Sequence, residues 1–251
     1  MSINNSVVYG KENVTELLLS ETPIDRVYLS GAAQNPSYKK IIALCKNRGV
    51  PIVHTDSAYI NKKAPNLNHQ GVIAITAEKE YCTVSDILKT AEKKREKPFI
   101  IIADEIVDPH NLGAIIRSAD AFGVHGIVIS KRHAVGLTSS VSKASGGALH
   151  FIPVARVANL AAAIDELKKH NVWIYGCDMA GEKVYYHQDY SGGAALIVGS
   201  EEIGISNILK EKCDFMVRIP MKGKISCLNA SVAAAVIMQE ISRQRSEENN
   251  E

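Results

Sequence analysis

Residues 99–122 read FIIIADEIVDPHNLGAIIRSADAF, and the rest of the chain is organised around them. Phe99-Ile100-Ile101-Ile102-Ala103 is an apolar, β-branched run that suits a strand buried on both faces. An acidic loop follows, marked by Asp108-Pro109, where the chain cannot continue a strand ladder. Asn111 is placed to cap a helix, its side-chain oxygen taking an orphan amide. Leu112, Ile115, Ile116, Ala119 and Phe122 recur at helical spacing, and Gly123 falls where a left-handed cap belongs. The order is strand, loop, helix, and in open α/β sheets ligands bind at the carboxyl ends of strands. Arg117 lies off the apolar stripe, on the face that also carries Gly113. From this helix alone it reads as a solvated arginine pairing with Asp120.

The surroundings fit an α/β protein. With 251 residues, 46% hydrophobic and 22% charged, the chain has core enough for one large domain or two modest ones. No apolar run approaches the roughly 20 residues that span a bilayer, so no membrane segment is expected. The opening MSINNSVVYGKENV lacks the basic and apolar regions of a signal peptide. Five scattered cysteines without a CxxC point to reduced thiols, a cytoplasmic location and no metal site. A net charge of +2 neither demands nor excludes nucleic acid, since clustering on one face decides that.

Residues 1–78 form a first unit, with a helix through Val14, Leu17 and Leu18 and a second from Tyr38 to Asn47. Strands are expected at Ile24 to Leu29, Val50 to Val53 and Val72 to Ile75. Lys39, Lys40, Lys46, Arg48, Lys62 and Lys63 can form an RNA-facing surface or merely keep the unit soluble. Residues 79–97, with the charged run EKKREK, read as a connecting helix or linker.

Residues 98–251 alternate strands and helices, which predicts a mostly parallel sheet. Strands are expected at Gly126 to Ile129, Phe151 to Val154, Val172 to Cys177, Ala194 to Val198 and Phe215 to Ile219. Asn159 caps an amphipathic helix, and a long helix runs from about Leu228 to Arg243, followed by a disordered SEENNE tail. The basic triplet Lys131-Arg132-His133 precedes GLTSSVSKASGG, residues 136–147, which fits a core helix, a loop or a phosphate-facing turn alike. Three of the strands enter loops of glycine and polar residues that can converge on a pocket. Neither GxGxxG nor GxxxxGK[ST] occurs, which disfavours an unrelated nucleotide-binding enzyme.

Three segments, DPHNLGAIIRSADAFG, LIVGSEEIGIS and IPMKGKISCLNASVAAAVIMQE, resemble the three motifs of the SpoU/TrmH RNA ribose 2′-O-methyltransferases of the SPOUT superfamily. The match covers about Pro98 to Arg243. YGKENV and HQGVIAI give the N-terminal unit a looser resemblance to the L30e-like RNA-binding domain of the RlmB-type subgroup, which methylates a guanosine ribose in 23S ribosomal RNA. The resemblance implies a C-terminal trefoil knot, a homodimer, ribosomal RNA as substrate and S-adenosylmethionine as donor. It places donor contacts at Gly199, Ser200, Ile219, Leu228 and Asn229. It makes Asn111, Arg117, Glu201 and Asn229 the catalytic and pocket-shaping residues, which reverses the reading of Arg117. Alternatives are a tRNA ribose 2′-O-methyltransferase and a non-catalytic RNA-binding or ribosome-assembly protein on the same fold. Two positions depart from the family. Cys227 stands where serine is usual, with Ser226 one position earlier, and Glu202 stands where glycine is favoured.

Overall fold

The computed structural model describes residues 7–31, 38–201, 203–224 and 227–248. They form two compact units, one of residues 1–80 with 136–139 and one of 81–135 with 140–251.

The first unit contains β1 (Val7–Tyr9), α1 (Lys11–Leu19), β2 (Ile24–Ser30), α2 (Lys39–Arg48), β3 (Ile52–Thr55), α3 (Ser57–Lys63) and β4 (Val72–Thr76). Its strands lie in the order β1-β4-β2-β3, with only β2 and β3 parallel. The period-two alternation of the strands divides the core. Val27, Leu29, Val72 and Ala74 meet Val14, Leu18, Ile41 and Cys45 of the two longer helices. Tyr28 and Ile73, on the opposite face, meet Ile60 and Ala64. Strand β1 and helix α3 escape the sequence reading for a physical reason. The strand is three half-buried residues, and the helix buries only Ile60, so neither carries a periodic stripe. The lysines of the basic set are exposed. Arg48 is spent internally, donating to the carbonyls of Leu17, Leu18, Ser20 and Thr22 at 2.8–3.3 Å.

In the second unit seven strands form a wholly parallel sheet in the order β7-β6-β5-β10-β8-β11-β9. They are β5 (Phe99–Ala103), β6 (Gly126–Ser130), β7 (Val154–Val157), β8 (Val172–Cys177), β9 (Lys183–Val184), β10 (Gly193–Val198) and β11 (Phe215–Arg218). Helices α4 (Val84–Lys94), α5 (Pro109–Ala121), α6 (Ser139–Ala144), α7 (Leu160–Lys169), α8 (Asn207–Lys210) and α9 (Ala230–Glu248) complete the element order. The innermost strands β5 and β10 are buried at every residue, as their unbroken apolar runs require.

Of the connecting helix or linker expected over 79–97, the helix is present: α4 buries Val84, Ile87 and Ala91, sets the first two into the core of the second unit, and is held by a Thr83/Asp86 capping box. Two expectations are corrected. The strand expected at Phe151 to Val154 begins only at Val154. Pro153 precedes it, a short 3-10 turn occupies Ala148–His150, and Phe151 is 74% exposed. The last helix extends to Glu248, because Arg243 pairs with Glu240 and Glu247 one turn either side at 2.7 Å. Of the expected disordered tail, residues 249–251 lie outside the described residues.

Candidate active site

The apolar strands end abruptly, and four of their carboxyl-end loops meet over β5, β10, β8 and β11. Asp104, the first residue beyond β5, is buried and organises this edge. Its amide donates to the Val198 carbonyl at 2.9 Å, and its Oδ2 accepts the Ser206 amide at 2.8 Å. One aspartate therefore fixes both ends of the loop 199–206. Within that loop the Gly204 amide donates to the Ser200 carbonyl at 2.8 Å, and Gly204 has φ 71°. A side-chain carbon on Gly199 would stand 2.1 Å from the Gly204 carbonyl carbon, so only glycine lets the loop double back so closely.

Helix α5 enters this edge differently from the sequence expectation. Asp108 is its cap, accepting the His110 amide at 2.9 Å, and Pro109 takes the first helical position. Asn111 therefore sits inside the first turn with its side chain free for other work. Its Nδ2 donates to Glu201 Oε1 at 3.1 Å, and its Oδ1 accepts from Asn229 Nδ2 at 2.8 Å. Asn229 Nδ2 also donates to Glu201 Oε1. Asn229 Oδ1 takes the Ser231 and Val232 amides at 3.0 and 3.3 Å, which caps α9. Three polar residues from three distant segments thus close into one hydrogen-bonded cluster. Glu201 Oε2 takes no partner among the described residues.

The expected C-terminus of α5 holds. Gly123 has φ 73°, its amide reaches the Asp120 carbonyl, and the Val124 amide reaches the Ala119 carbonyl. Arg117 stands apart from the cluster, about 9 Å further along the helix axis than Asn111. It is exposed and forms no ion pair with Asp120. Its guanidinium lies against Gly146, whose added side-chain carbon would be 3.8 Å from Cζ, Nε and Nη1. Gly113, one turn earlier, lets α5 close on the Ala144–Ser145 backbone, where an added carbon would stand 2.4 Å from the Ala144 side chain. The segment 136–147 is thereby resolved as the short helix α6 and a tight glycine turn beside Arg117.

Two cavities adjoin the cluster. One of about 340 Å³ is lined by Val198, Gly199, Ser200, Glu201, Ile219, Met221, Cys227 and Leu228, with Cys177, Asp178 and Met179 from the loop after β8. The other, about 320 Å³, is lined by Glu105 to Asp108, Asn111 and His133. Both share Ser200, Glu201 and Ile203 as a common wall. Gly199, Ser200, Ile219 and Leu228 are thus gathered at one cavity, and Asn229 stands at its edge through Leu228 and Ala230. Glu202 and Ser226 lie outside the described residues.

The sequence reading misses Asp178. Burial opposes its ionisation, yet the Lys210 ammonium at 2.7 Å and the Ala180 amide hold its carboxyl below the usual carboxylate range. Beside it, burial pushes the Cys177 thiol up to about 11, which favours its neutral form. The only available signal for Asp178 is its position directly after an apolar strand. Among the described residues no group of three histidine, cysteine or acidic side chains is placed to hold a metal ion, and no helix is long and apolar enough to cross a membrane.

Residues 98–239 match the SpoU rRNA Methylase family, and residues 7–82 match the RNA 2′-O ribose methyltransferase substrate binding family. A Bacillus subtilis protein named as TrmH family tRNA/rRNA methyltransferase YacO is 43% identical over 98% of both chains. A Staphylococcus aureus protein named for the same family is 37% identical over 97% of this chain and 98% of its own. Among solved structures, the SpoU methyltransferase AviRb from Streptomyces viridochromogenes superposes with a TM-score of 0.62 at 25% identity, covering 97% of this chain and 90% of that one. AviRb has also been solved in complex with the cofactor AdoMet. A TrmH/SpoU tRNA modifying enzyme of A. aeolicus, 29% identical, gives a TM-score of 0.56 over 66% of this chain and 85% of its own.

Proposed function

The chain belongs to the SpoU rRNA methylase family, and from that footing we propose that it methylates the ribose 2′-hydroxyl of a guanosine in 23S ribosomal RNA, with S-adenosylmethionine as donor. The observation that carries this reading is the pair of cavities divided by Ser200, Glu201 and Ile203, with the Asn111-Glu201-Asn229 cluster at the division. A group-transfer enzyme needs two ligands held edge to edge, and alignment of the reacting atoms supplies much of the acceleration.

The larger cavity fits the donor in kind. Val198, Ile219, Met221 and Leu228 give apolar walls for a flat base, and the Asp178 and Glu201 carboxylates suit a cationic ligand. Gly199, Ser200, Ile219, Leu228 and Asn229 are the residues assigned to hold it. When bound, S-adenosylmethionine supplies an electrophilic methyl group on a sulfonium.

Asn111 and Glu201 face the smaller cavity, where they position the ribose. Glu201 Oε1 is occupied by its asparagine partners, and Oε2 remains for a hydroxyl. Asn229 ties that carboxylate to α9, so donor and acceptor sites keep register. Arg117 lines neither cavity of this chain, and the role assigned to it is to hold the phosphate beside the target nucleotide once RNA is bound and to stabilise the developing oxyanion, which suits a permanently charged guanidinium better than proton abstraction. The N-terminal unit, with exposed Lys39, Lys40, Lys46, Lys62 and Lys63, grips RNA through phosphates. A trefoil-knotted path through the loops after β10 and β11, a homodimer and a cytoplasmic location complete the proposal.

Ribose-methylation mapping in a deletion strain tests the substrate. Loss of one methylated guanosine in 23S ribosomal RNA is the expected result. Loss confined to tRNA would move the function to the tRNA reading, and an unchanged map alongside calorimetry without donor binding would end the enzymatic one.

A further inference from the structure

The basic triplet Lys131-Arg132-His133 follows β6 directly and has no part in the chemistry above. Its backbone turns sharply, with Ser130 Oγ donating to the Arg132 carbonyl and His133 at φ 55°. This turn leaves Arg132 and His133 exposed at the carboxyl edge of the sheet, one strand away from β5. A third cavity of about 300 Å³ lies there, with Glu105, Ser130, Arg132, His133 and Asn159 in its lining. It shares Glu105 and His133 with the cavity that holds Asn111 and Glu201. The two adjoin at Glu105 and His133 and make up a groove with Glu201 in one part and Arg132 in the other.

The charges along this groove are unequally engaged. Asp104 is buried and its Oδ2 accepts the Ser206 amide. Asn159 Oδ1 takes the Ala161 and Ala162 amides at 2.8 and 3.2 Å, so the α7 terminus is already satisfied and only Asn159 Nδ2 is left to donate. The Arg132 guanidinium and the His133 ring make no hydrogen bond or ion pair among the described residues. Glu105 stands at the junction, where a carboxylate accepts from hydroxyl or amino groups and repels phosphate. The anion-accepting end is therefore Arg132, whose planar fork matches phosphate oxygens.

We propose that this groove carries the RNA strand flanking the target nucleotide, with Arg132 holding a backbone phosphate and His133 and Asn159 beside it. The inference rests on the RNA-methylating reading and adds the path by which the strand reaches Glu201. The contact positions the strand and carries no base information.

The test uses the full-length protein and unmodified 23S ribosomal RNA transcript, comparing wild type with Arg132→Glu and Arg132→Lys. Binding is measured across a salt series, with donor affinity by calorimetry and thermal unfolding as controls. Arg132→Glu is expected to weaken RNA binding about tenfold. It should also flatten the slope of log affinity against log salt by about 0.7, the value for one single-strand phosphate. Arg132→Lys should retain most of that slope, and donor affinity and unfolding should not move. Unchanged RNA affinity and slope in a folded Arg132→Glu protein would overturn the groove, whether or not the wild type transfers methyl groups. A flattened slope with no methyl transfer by wild type would keep the groove and remove the enzymatic reading instead.

Discussion

Asn229 Nδ2 donates to Asn111 Oδ1 over 2.8 Å, although 118 positions separate the two in the chain. The same Asn229 caps α9 with its Oδ1, so one side chain serves helix and site through opposite ends. Its two roles separate by mutation. Asn229→Ala should lose the cap, at about 1 kcal/mol of stability, together with activity. Asn229→Asp keeps an oxygen for the cap but offers Asn111 and Glu201 an acceptor in place of a donor. It should unfold near wild type while methyl transfer drops about 100-fold. Equal turnover of Asn229→Asp and wild type in a tritium-transfer assay would reduce Asn229 to a helix cap.

Arg117 gives the sharpest contrast between stability and chemistry. It is exposed and unpaired within the described chain, so Arg117→Ala should change unfolding by no more than about 0.5 kcal/mol. Methyl transfer should fall about 100- to 1,000-fold, with donor affinity unchanged. Near-normal turnover would return Arg117 to a solvated surface residue.

What the sequence could disclose followed from how each feature is encoded. Buried parallel strands announce themselves as apolar runs, so β5, β8 and β10 stand within a residue of expectation. The clustering of Asn111, Glu201 and Asn229 was available only through motif resemblance, because no periodicity links residues so far apart. Asparagine suits a cap, which makes Asn111 the expected one, but Asp108 before Pro109 suits the role equally and stands earlier. Asp178 was invisible for the opposite reason. A lone aspartate after a strand is ordinary, and only the converging loops give it a cavity to face. Phe151 shows the limit of composition, since an aromatic near a β-branched run read as strand yet lies in an exposed turn.

The doubled-back loop after β10 makes a steric prediction. In Gly199→Ala the new carbon meets Gly204 backbone, which cannot swing aside as a side chain tip would. A cost of about 1–3 kcal/mol is expected in denaturant unfolding, and donor binding should be lost because the loop forms the cavity wall. Gly204→Ala is the control. It strains a φ of 71° but finds only Asp178 Oδ2, at 3.7 Å, so its cost is that of a left-handed residue, about 1–2 kcal/mol. Donor affinity equal to wild type in a folded Gly199→Ala protein would remove this loop from the donor site.

The last prediction concerns pH and the root of β5. His125 Nδ1 accepts the Phe99 amide at 3.0 Å, and Nε2 lies 3.0 Å from Glu96 Oε2. Accepting at Nδ1 requires a lone pair there, so the ring is neutral with its proton on Nε2. Burial lowers the His125 pKa below 6.5, and Glu96 only partly offsets this. The unfolded chain therefore binds more protons than the folded one as pH falls through 6.5, and stability must decline there. Above about pH 7.5 both states are neutral at this position and it contributes no slope. Protonation of Nδ1 would also orphan the Phe99 amide at the start of the strand that carries the site. In His125→Asn, Oδ1 can accept the same amide without titrating. That variant should be less stable at pH 8, since it leaves space where the ring stood, but its decline between about pH 6.5 and 5 should be shallower. Unfolding curves of both proteins across that range decide the point, and parallel declines would show that other groups set the acid limit.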